Sequence, residues 1–288
     1  MLDVIIIGAG PAGITAGIYA KRSNLEVILL DKKQSSLKKA EKIENYYGFE
    51  KGISGEKLYN IGINQAENIG IDIKKEEVIK IEEIEKGYLV KSESEEYLSK
   101  TVILATGNKR NRPKIDGIEK FEGKGISYCA VCDGFFYRNK NIGILGNGSY
   151  AISETNDLLN IANNIIILTN GEEEPNFRAD NVNIDTRKIK SIKGKQKVEE
   201  IEFEDGSTKN IEGLFIAQGV AGSSDFAKKL GIILKEDKIV VDEDMQTNIR
   251  GIYACGDCTG GIYQISKAVY EGTKAGLAVI KYLRQEKI

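Results

Sequence analysis

Two cysteines separated by two residues lie in the run Ser127-Tyr128-Cys129-Ala130-Val131-Cys132-Asp133-Gly134. That spacing lets two sulfurs close a strained, easily reduced disulfide, and the neighbouring Asp133 carboxylate can handle a proton. Near the start of the chain, the loop Gly8-Ala9-Gly10-Pro11-Ala12-Gly13 follows the apolar strand Val4 to Ile7 and opens a helical stretch. In that context Gly8 permits a tight turn, Gly10 lets a pyrophosphate approach the backbone, and Gly13 lets helix and strand pack closely. The helix N-terminus, beginning with Pro11 and Ala12, supplies N–H groups and a positive dipole end for phosphates. Asp31 closes the next strand, about 20 residues on, where an acidic side chain accepts a ribose hydroxyl. A Gly-rich turn without a ligand is the bland alternative, and the flanking strands and Asp31 weigh against it. Together the two motifs predict electrons passing from a bound nucleotide cofactor to a dithiol.

The elements that must position these groups read as one pattern inserted into another. Residues 4–7, the Gly loop, the helix Pro11 to Arg22 and the strand Glu26 to Leu30 form a β-α-β unit. Short alternating strands over 72–99 lead to the apolar strand Thr101 to Leu104 and the loop Ala105-Thr106-Gly107. The order then repeats. Strand Asn141 to Leu145 runs into Gly146-Asn147-Gly148-Ser149-Tyr150-Ala151, a helix, strand Ile165 to Leu168, short strands over 182–212, and Leu214 to Gly219. This is an internal duplication of a nucleotide-binding fold. The expected class is α/β, with two Rossmann-like (three-layer ββα) domains, the second inserted into the first. Residues 1–112 with 245–288 make the first domain and 113–244 the second, with polar linkers at Asn108 to Lys114 and Asp242 to Asn248. A long helix is expected from about Gln264.

At 288 residues, two domains are the default expectation. A formal net charge of −2 argues against a nucleic-acid partner, and no basic run suggests a membrane surface. No apolar stretch approaches bilayer-spanning length, and a chain opening on a strand leaves no room for a signal peptide. Four cysteines in a chain of this size are not a disulfide scaffold, so a cytoplasmic protein with a catalytic thiol pair is expected. There is no histidine, so proton transfer falls to a carboxylate, a tyrosine or a cysteine. Four thiolates from Cys129, Cys132, Cys255 and Cys258 could in principle hold zinc. The second pair flanks Asp257, outside the domain that carries Cys129, and no metal is expected.

At this point the chain resembles the low-molecular-weight thioredoxin reductases almost end to end. The resemblance is carried by the Gly8–Gly13 loop, Ile43-Glu44-Asn45-Tyr46, Ala105-Thr106-Gly107, Cys129 to Gly134 and Gly256-Asp257. It implies that the first domain binds FAD and that the inserted domain carries the dithiol. It implies cofactor contacts from Asn45, Ala105, Thr106, Gly107, Gly256 and Asp257, the last at the ribityl or pyrophosphate region. The helix beginning near Gln264 and Ile265 would point its positive end at the flavin pyrimidine. Cys132 resembles the flavin-facing sulfur, Cys129 the thiol that attacks the protein disulfide, and Asp133 the acid/base. A homodimer acting on thioredoxin or a thioredoxin-like protein is implied with it. Cys255 and Cys258 read best as small apolar residues packing their loop.

The second Gly loop departs from the NADPH-dependent pattern. The 2′-phosphate of NADPH needs Arg or Lys after the next strand, where the family has His-Arg-Arg. Here the strand ends in Thr169-Asn170-Gly171-Glu172-Glu173-Glu174. A carboxylate about 4 Å from the phosphate would cost roughly 1–4 kcal/mol. NADPH is disfavoured and NADH is left open. Loss of the clamp resembles the NADPH-independent, ferredoxin-linked flavin thioredoxin reductases, so reduced ferredoxin is the expected donor. Lys32 to Lys42 in place of a Gly-Gly-Gln run, Tyr47 for Pro and Tyr263 for Arg are further departures around the FAD site. Three rivals stand beside this reading. They are an NAD(P)H-dependent reductase with an atypical nucleotide site, an FAD-dependent oxidase of small dithiols, and a non-catalytic FAD- or zinc-binding module.

Overall fold

The protein is described by a computed structural model covering residues 1–32, 35–107, 113–218 and 223–285, the side chains of 223–224 excepted. It divides into two compact units, Met1–Lys109 with Gly222–Ile288, and Arg110–Ala221.

The first unit opens with β1 (Leu2–Ile7), α1 (Pro11–Arg22), β2 (Val27–Leu30), α2 (Gly55–Asn68), β3 (Asp72–Lys74), β4 (Val78–Ile84), β5 (Gly87–Ser92) and β6 (Glu96–Leu104). The first two strands are nearly continuous β-branched and leucine runs, buried on both faces, as a parallel sheet requires. β1 pairs in parallel with β2 and β6, and β2 with β3. β4 and β5 add an antiparallel extension through the first half of β6, whose second half stays free for another parallel partner.

The second unit holds α3 (Ile118–Phe121), β7 (Ile126–Ser127), α4 (Ala130–Asp133), β8 (Asn141–Leu145), α5 (Ser149–Leu158), β9 (Asn164–Leu168), β10 (Val182–Asp185), β11 (Ile189–Lys193), β12 (Glu200–Phe203), β13 (Thr208–Asn210) and β14 (Gly213–Ile216). Its parallel sheet runs β10-β9-β8-β14-β7, and β11-β12-β13 form a separate antiparallel sheet. Phe121, Leu145, Leu168, Phe203 and Leu214 build its core.

The chain then returns to the first unit with α6 (Ser223–Leu230), β15 (Leu234–Lys235), β16 (Lys238–Ile239), β17 (Ile252–Ala254) and α7 (Ile265–Gln285). β17 takes the free half of β6, in parallel. The first unit's order β3-β2-β1-β6-β17 therefore repeats as β10-β9-β8-β14-β7 in the second, which is the internal duplication expected.

The return comes at 222, where the sequence placed it at 245. The expected linker Asp242 to Asn248 is a packed turn. Met245 is buried in the first unit's core, and Asp242 caps the turn by accepting the Asp244 and Gln246 N–H groups, each at 2.9 Å. Its polar residues satisfy local backbone instead of solvating a free segment. Of the other expected linker, 108–112 lie outside the described residues, as does Gly219.

α7 lies against α1 in the first unit's core, with Ala12, Ala16, Ala275 and Val279 at the contact. A Cβ on Gly272 would stand 2.2 Å from the Ala12 carbonyl oxygen, so this close approach needs glycine. The crossing brings the start of α7 beside the start of α1.

Candidate active site

The dithiol sits on a short turn of helix entered directly from β7. Cys129 and Cys132 are joined as a disulfide, with Cα atoms 5.3 Å apart. Cys129 caps the helix, its sulfur accepting the Cys132 N–H at 3.2 Å. Ser127, fixed in β7 opposite Phe215, bridges the motif. Its hydroxyl donates to Asp133 Oδ2 at 2.7 Å and accepts the Cys129 N–H at 3.1 Å. From α5, the Glu154 carboxylate, 1% exposed, accepts the Ala130 N–H at 2.7 Å. Cys129 is buried at 1% exposure, whereas Cys132 is exposed. Around Cys132 the side chains of Val131, Phe135 and Phe136 are exposed as well. The arrangement offers one accessible sulfur and one protected sulfur, with a carboxylate held by hydrogen bond beside the pair. The sulfur to which the resemblance gives the attack on a protein disulfide, Cys129, is the buried one, so that attack requires it to be uncovered. Sequence reading missed Ser127 and Glu154. Ser127 stood in the quoted run, but nothing in the sequence pointed to Glu154.

The Gly loop of the first unit separates packing demands from ligand demands. Gly8 has φ +105°, and a Cβ there would fall 2.4 Å from the Ala105 carbonyl oxygen. A Cβ on Gly13 would fall 1.9 Å from the Gly8 carbonyl oxygen. Gly10 has φ −77° and is under no such constraint. Among the described residues a Cβ there would approach only Ser35 Oγ, at 3.9 Å. Gly10, with Ala9, Pro11 and Ile265, lines one end of a cleft of about 670 Å³ that continues between α1 and α2 past Ile18 and Gln65 to Arg22. Next to Gly8, whose added Cβ would lie 3.2 Å from Thr106 Cα, the Thr106 hydroxyl is buried with no hydrogen-bond partner among the described residues, an arrangement native proteins rarely leave unmet. An open backbone cradle at a helix N-terminus and an orphaned hydroxyl both suit a pyrophosphate-bearing dinucleotide. The residues present fit FAD.

The remaining predicted cofactor residues lie in the same unit. Asp31, buried at the end of β2, accepts the Ala9 N–H at 3.1 Å and the Tyr59 hydroxyl at 2.6 Å. Burial, and then the hydrogen bond and charge of Asp31, push the Tyr59 hydroxyl well above its ordinary range. Asp31 thus braces the loop from the end of β2. Asn45 and Gln264, far apart in sequence, meet at 3.0 Å through Asn45 Nδ2 and Gln264 Oε1. Gly107 ends the described part of the loop after β6, and Gly256 leads into a single turn of 3₁₀ helix, Asp257–Thr259. Burial pushes the Asp257 carboxyl up, while Lys267 and Lys238 pull it back. Cys255 and Cys258 are buried in this loop, with Cys258 Sγ donating towards the Leu104 and Cys255 carbonyl oxygens at 3.3 and 3.2 Å. Burial raises the Cys255 thiol well above its usual value. Both behave as packed thiols, in a different unit from Cys129 and Cys132. No group of three or more ligating side chains among the described residues could hold a metal ion.

In the second unit, a Cβ on Gly146 would fall 2.2 Å from the Ala217 carbonyl oxygen, while Gly148 has nothing within 4 Å among the described residues. The turn after β9 leans on this loop, Asn147 Nδ2 donating to the Glu173 carbonyl oxygen at 3.2 Å. Glu172, Glu173 and Glu174 are exposed, and Arg178 is engaged by Glu174 at 3.0 Å.

Comparison with known proteins agrees with this chemistry. The pyridine nucleotide-disulphide oxidoreductase family matches residues 2–272. The thioredoxin reductase of Ureaplasma parvum serovar 3 is 35% identical, over 98% of this chain and 96% of its own. Among solved structures, the atypical thioredoxin reductase TRi from Desulfovibrio vulgaris Hildenborough is 37% identical, with a TM-score of 0.90 and 99% of each chain covered. A ferredoxin-flavin thioredoxin reductase from Clostridium acetobutylicum is 32% identical, with a TM-score of 0.71 over 99% of this chain and 98% of its own. No helix among the described residues is long and apolar enough to cross a membrane. An internally duplicated nucleotide fold carrying a Cys-x-x-Cys disulfide, matched over nearly its whole length, makes this chain a member of the pyridine nucleotide-disulphide oxidoreductase family, an oxidoreductase and flavoprotein of the thioredoxin reductase type.

Proposed function

We propose that the chain reduces the disulfide of thioredoxin or a thioredoxin-like protein through FAD and the Cys129–Cys132 pair, with reduced ferredoxin in place of NADPH as donor. FAD would be held by Gly8, Gly10, Pro11, Ala12, Gly13, Asp31, Asn45, Ala105, Thr106, Gly107, Gly256, Asp257, Gln264 and Ile265. Bound there, it supplies a carrier that can collect electrons singly and deliver them in pairs. The protein's own steps concern sulfur and protons. The Cys129–Cys132 disulfide accepts two electrons and two protons and opens to two thiols. The Cys129 thiolate attacks one sulfur of the partner's disulfide, a mixed disulfide forms, and the other partner sulfur leaves as a thiolate. Asp133, steadied by Ser127, takes the proton of the Cys129 thiol before the attack and gives it to that leaving thiolate. Cys132 then attacks Cys129 of the mixed disulfide as its own proton passes to the departing partner sulfur, which restores the intramolecular bond and releases the partner with both thiols reduced. A homodimer in the cytoplasm belongs to the same reading.

The observation that carries the choice of donor is the turn after β9. Asn147 ties the Glu173 backbone to the second Gly loop, three exposed glutamates follow the strand, and Arg178 is occupied by Glu174. A 2′-phosphate dianion would meet carboxylates where it needs paired guanidinium or ammonium groups. The ferredoxin-linked relative named above supports the alternative donor. The open space over Gly148 favours one second reading, NADH, which has no 2′-phosphate to place. Anaerobic stopped-flow with NADPH, NADH and reduced ferredoxin side by side tests the choice. Ferredoxin is expected to reduce the flavoprotein readily, at a rate that falls with added salt, and millimolar NADPH negligibly. Fast reduction by NADPH overturns the donor assignment. Fast reduction by NADH alone replaces it with the second reading.

A further inference from the structure

One ion pair in the first unit is placed where stability alone does not explain it. Lys267 and Glu271 lie one turn apart on α7, with Nζ and Oε2 2.9 Å apart and their side chains only 13% and 12% exposed. A surface pair of this spacing does little, and a desolvated one costs hydration that its attraction scarcely repays. Its hydrogen bonds all run to one loop. Lys267 Nζ donates to the Gly256 carbonyl oxygen at 2.7 Å and to Thr259 Oγ1 at 2.8 Å. Glu271 Oε2 accepts the Gly256 N–H at 2.8 Å and lies 2.9 Å from Thr259 Oγ1. Both backbone polar groups of Gly256 are therefore held by the same helix.

The loop needs such a hold. Gly256 adopts φ 84°, ψ −153° and Gly260 φ 81°, ψ −153°, a region open to glycine alone. A turn bounded by two such residues has the least intrinsic restraint the backbone allows. Asp257 lies inside it. We infer that Lys267 and Glu271 form a positioning strap that fixes the Gly256–Thr259 turn from α7 and so presents the Asp257 carboxylate to the cofactor. The inference rests on the proposed role of Asp257 as an FAD contact. Neither strap residue needs to touch FAD.

The full-length chain, stripped of flavin and titrated with FAD by fluorescence, tests this with a double-mutant cycle. Asp257→Ala and Glu271→Ala should each weaken FAD binding about 10- to 100-fold, the loss expected for a hydrogen bond to a charged group. The double variant should be no weaker than the worse single one, because the strap acts through Asp257. Glu271→Gln keeps an acceptor for the Gly256 N–H and should recover most of the affinity, and it serves as the primary variant if Glu271→Ala does not fold. The melting temperature of each flavin-free variant is the control a general loss of packing would move. If Asp257→Ala binds FAD as wild type does, the cofactor reading of this loop fails and the strap with it. If Asp257→Ala binds weakly but Glu271→Ala does not, or if the two losses multiply independently, the strap alone is overturned. Affinity lost equally in Glu271→Gln and Glu271→Ala also overturns it.

Discussion

Gly10→Val separates the fold from the proposed cofactor site, because none of the described residues demands glycine there. The backbone at Gly10 has φ −77°, ψ −178°, which any residue adopts, and among the described residues a Cβ there would approach only Ser35 Oγ, at 3.9 Å. The cost to folding should be limited to replacing glycine by valine at the N-cap of α1, about 1 kcal/mol or less. In a chain of this size that is a fall of only about 2–4 °C in melting temperature. The cost to binding is larger. A branched side chain in the cradle keeps a pyrophosphate from the N–H groups at the start of α1. Two charge-assisted hydrogen bonds at about 1.5–3 kcal/mol each amount to about 3–6 kcal/mol. That corresponds to roughly 10²- to 10⁴-fold weaker FAD binding. Gly13→Ala gives the contrast, since its Cβ would lie 1.9 Å from the Gly8 carbonyl oxygen and must displace helix from strand. The assay is flavin content after purification, followed by FAD titration and calorimetry of both variants. Gly10→Val retaining full FAD occupancy would refute the placement of the cofactor, and a large fall in its melting temperature would refute the claim that only the ligand needs this glycine.

Asp133→Asn removes the proposed proton carrier but keeps an acceptor for the Ser127 hydroxyl, so turnover with a thioredoxin substrate should fall about 10²- to 10⁴-fold with flavin content intact. Equal turnover of variant and wild type across pH would eliminate the acid/base role. In the reduced chain without a protein partner, iodoacetamide followed by mass spectrometry should find Cys132 modified well before Cys129, as their exposures require. Modification of Cys129 first would show that the reduced dithiol does not keep the burial seen in the disulfide form.

Much of this architecture was legible because its signals are local. The apolar runs of β1, β2, β8 and β9 announce strands buried on both faces, and β1 and β8 are each followed by a glycine-bearing turn into a helix. What could not be read depends on partners distant in sequence. Asn45 and Gln264 were both expected near the cofactor, but no pattern says that they bond each other. Asp242 to Asn248 looked like a linker because polar residues that cap a tight turn and polar residues that solvate a free segment are spelled alike. Buried Met245 decides between them. Lys267 and Glu271 look like an ordinary exposed helix pair until the loop they grip is placed against them. Glu154 was illegible for the same reason, its partner being a backbone N–H at the start of the dithiol helix.

The two glycine loops also show what such a fingerprint can and cannot report. At Gly8, Gly13 and Gly146 a side chain would collide with a carbonyl oxygen of the protein itself, so these positions are glycine whether or not anything binds. They record how closely a helix, a strand and the next loop approach. Of the glycines in these loops, Gly10 and Gly148, where a side chain would meet nothing closer than 3.9 Å among the described residues, bear on a ligand. By that criterion the second unit leaves space at Gly148 among the described residues, and its exposed Glu172-Glu173-Glu174 turn is the ground for the proposed donor other than NADPH. The proposed loss of the clamp concerns one phosphate, and the NADH arm of the donor experiment tests the rest of that loop's geometry.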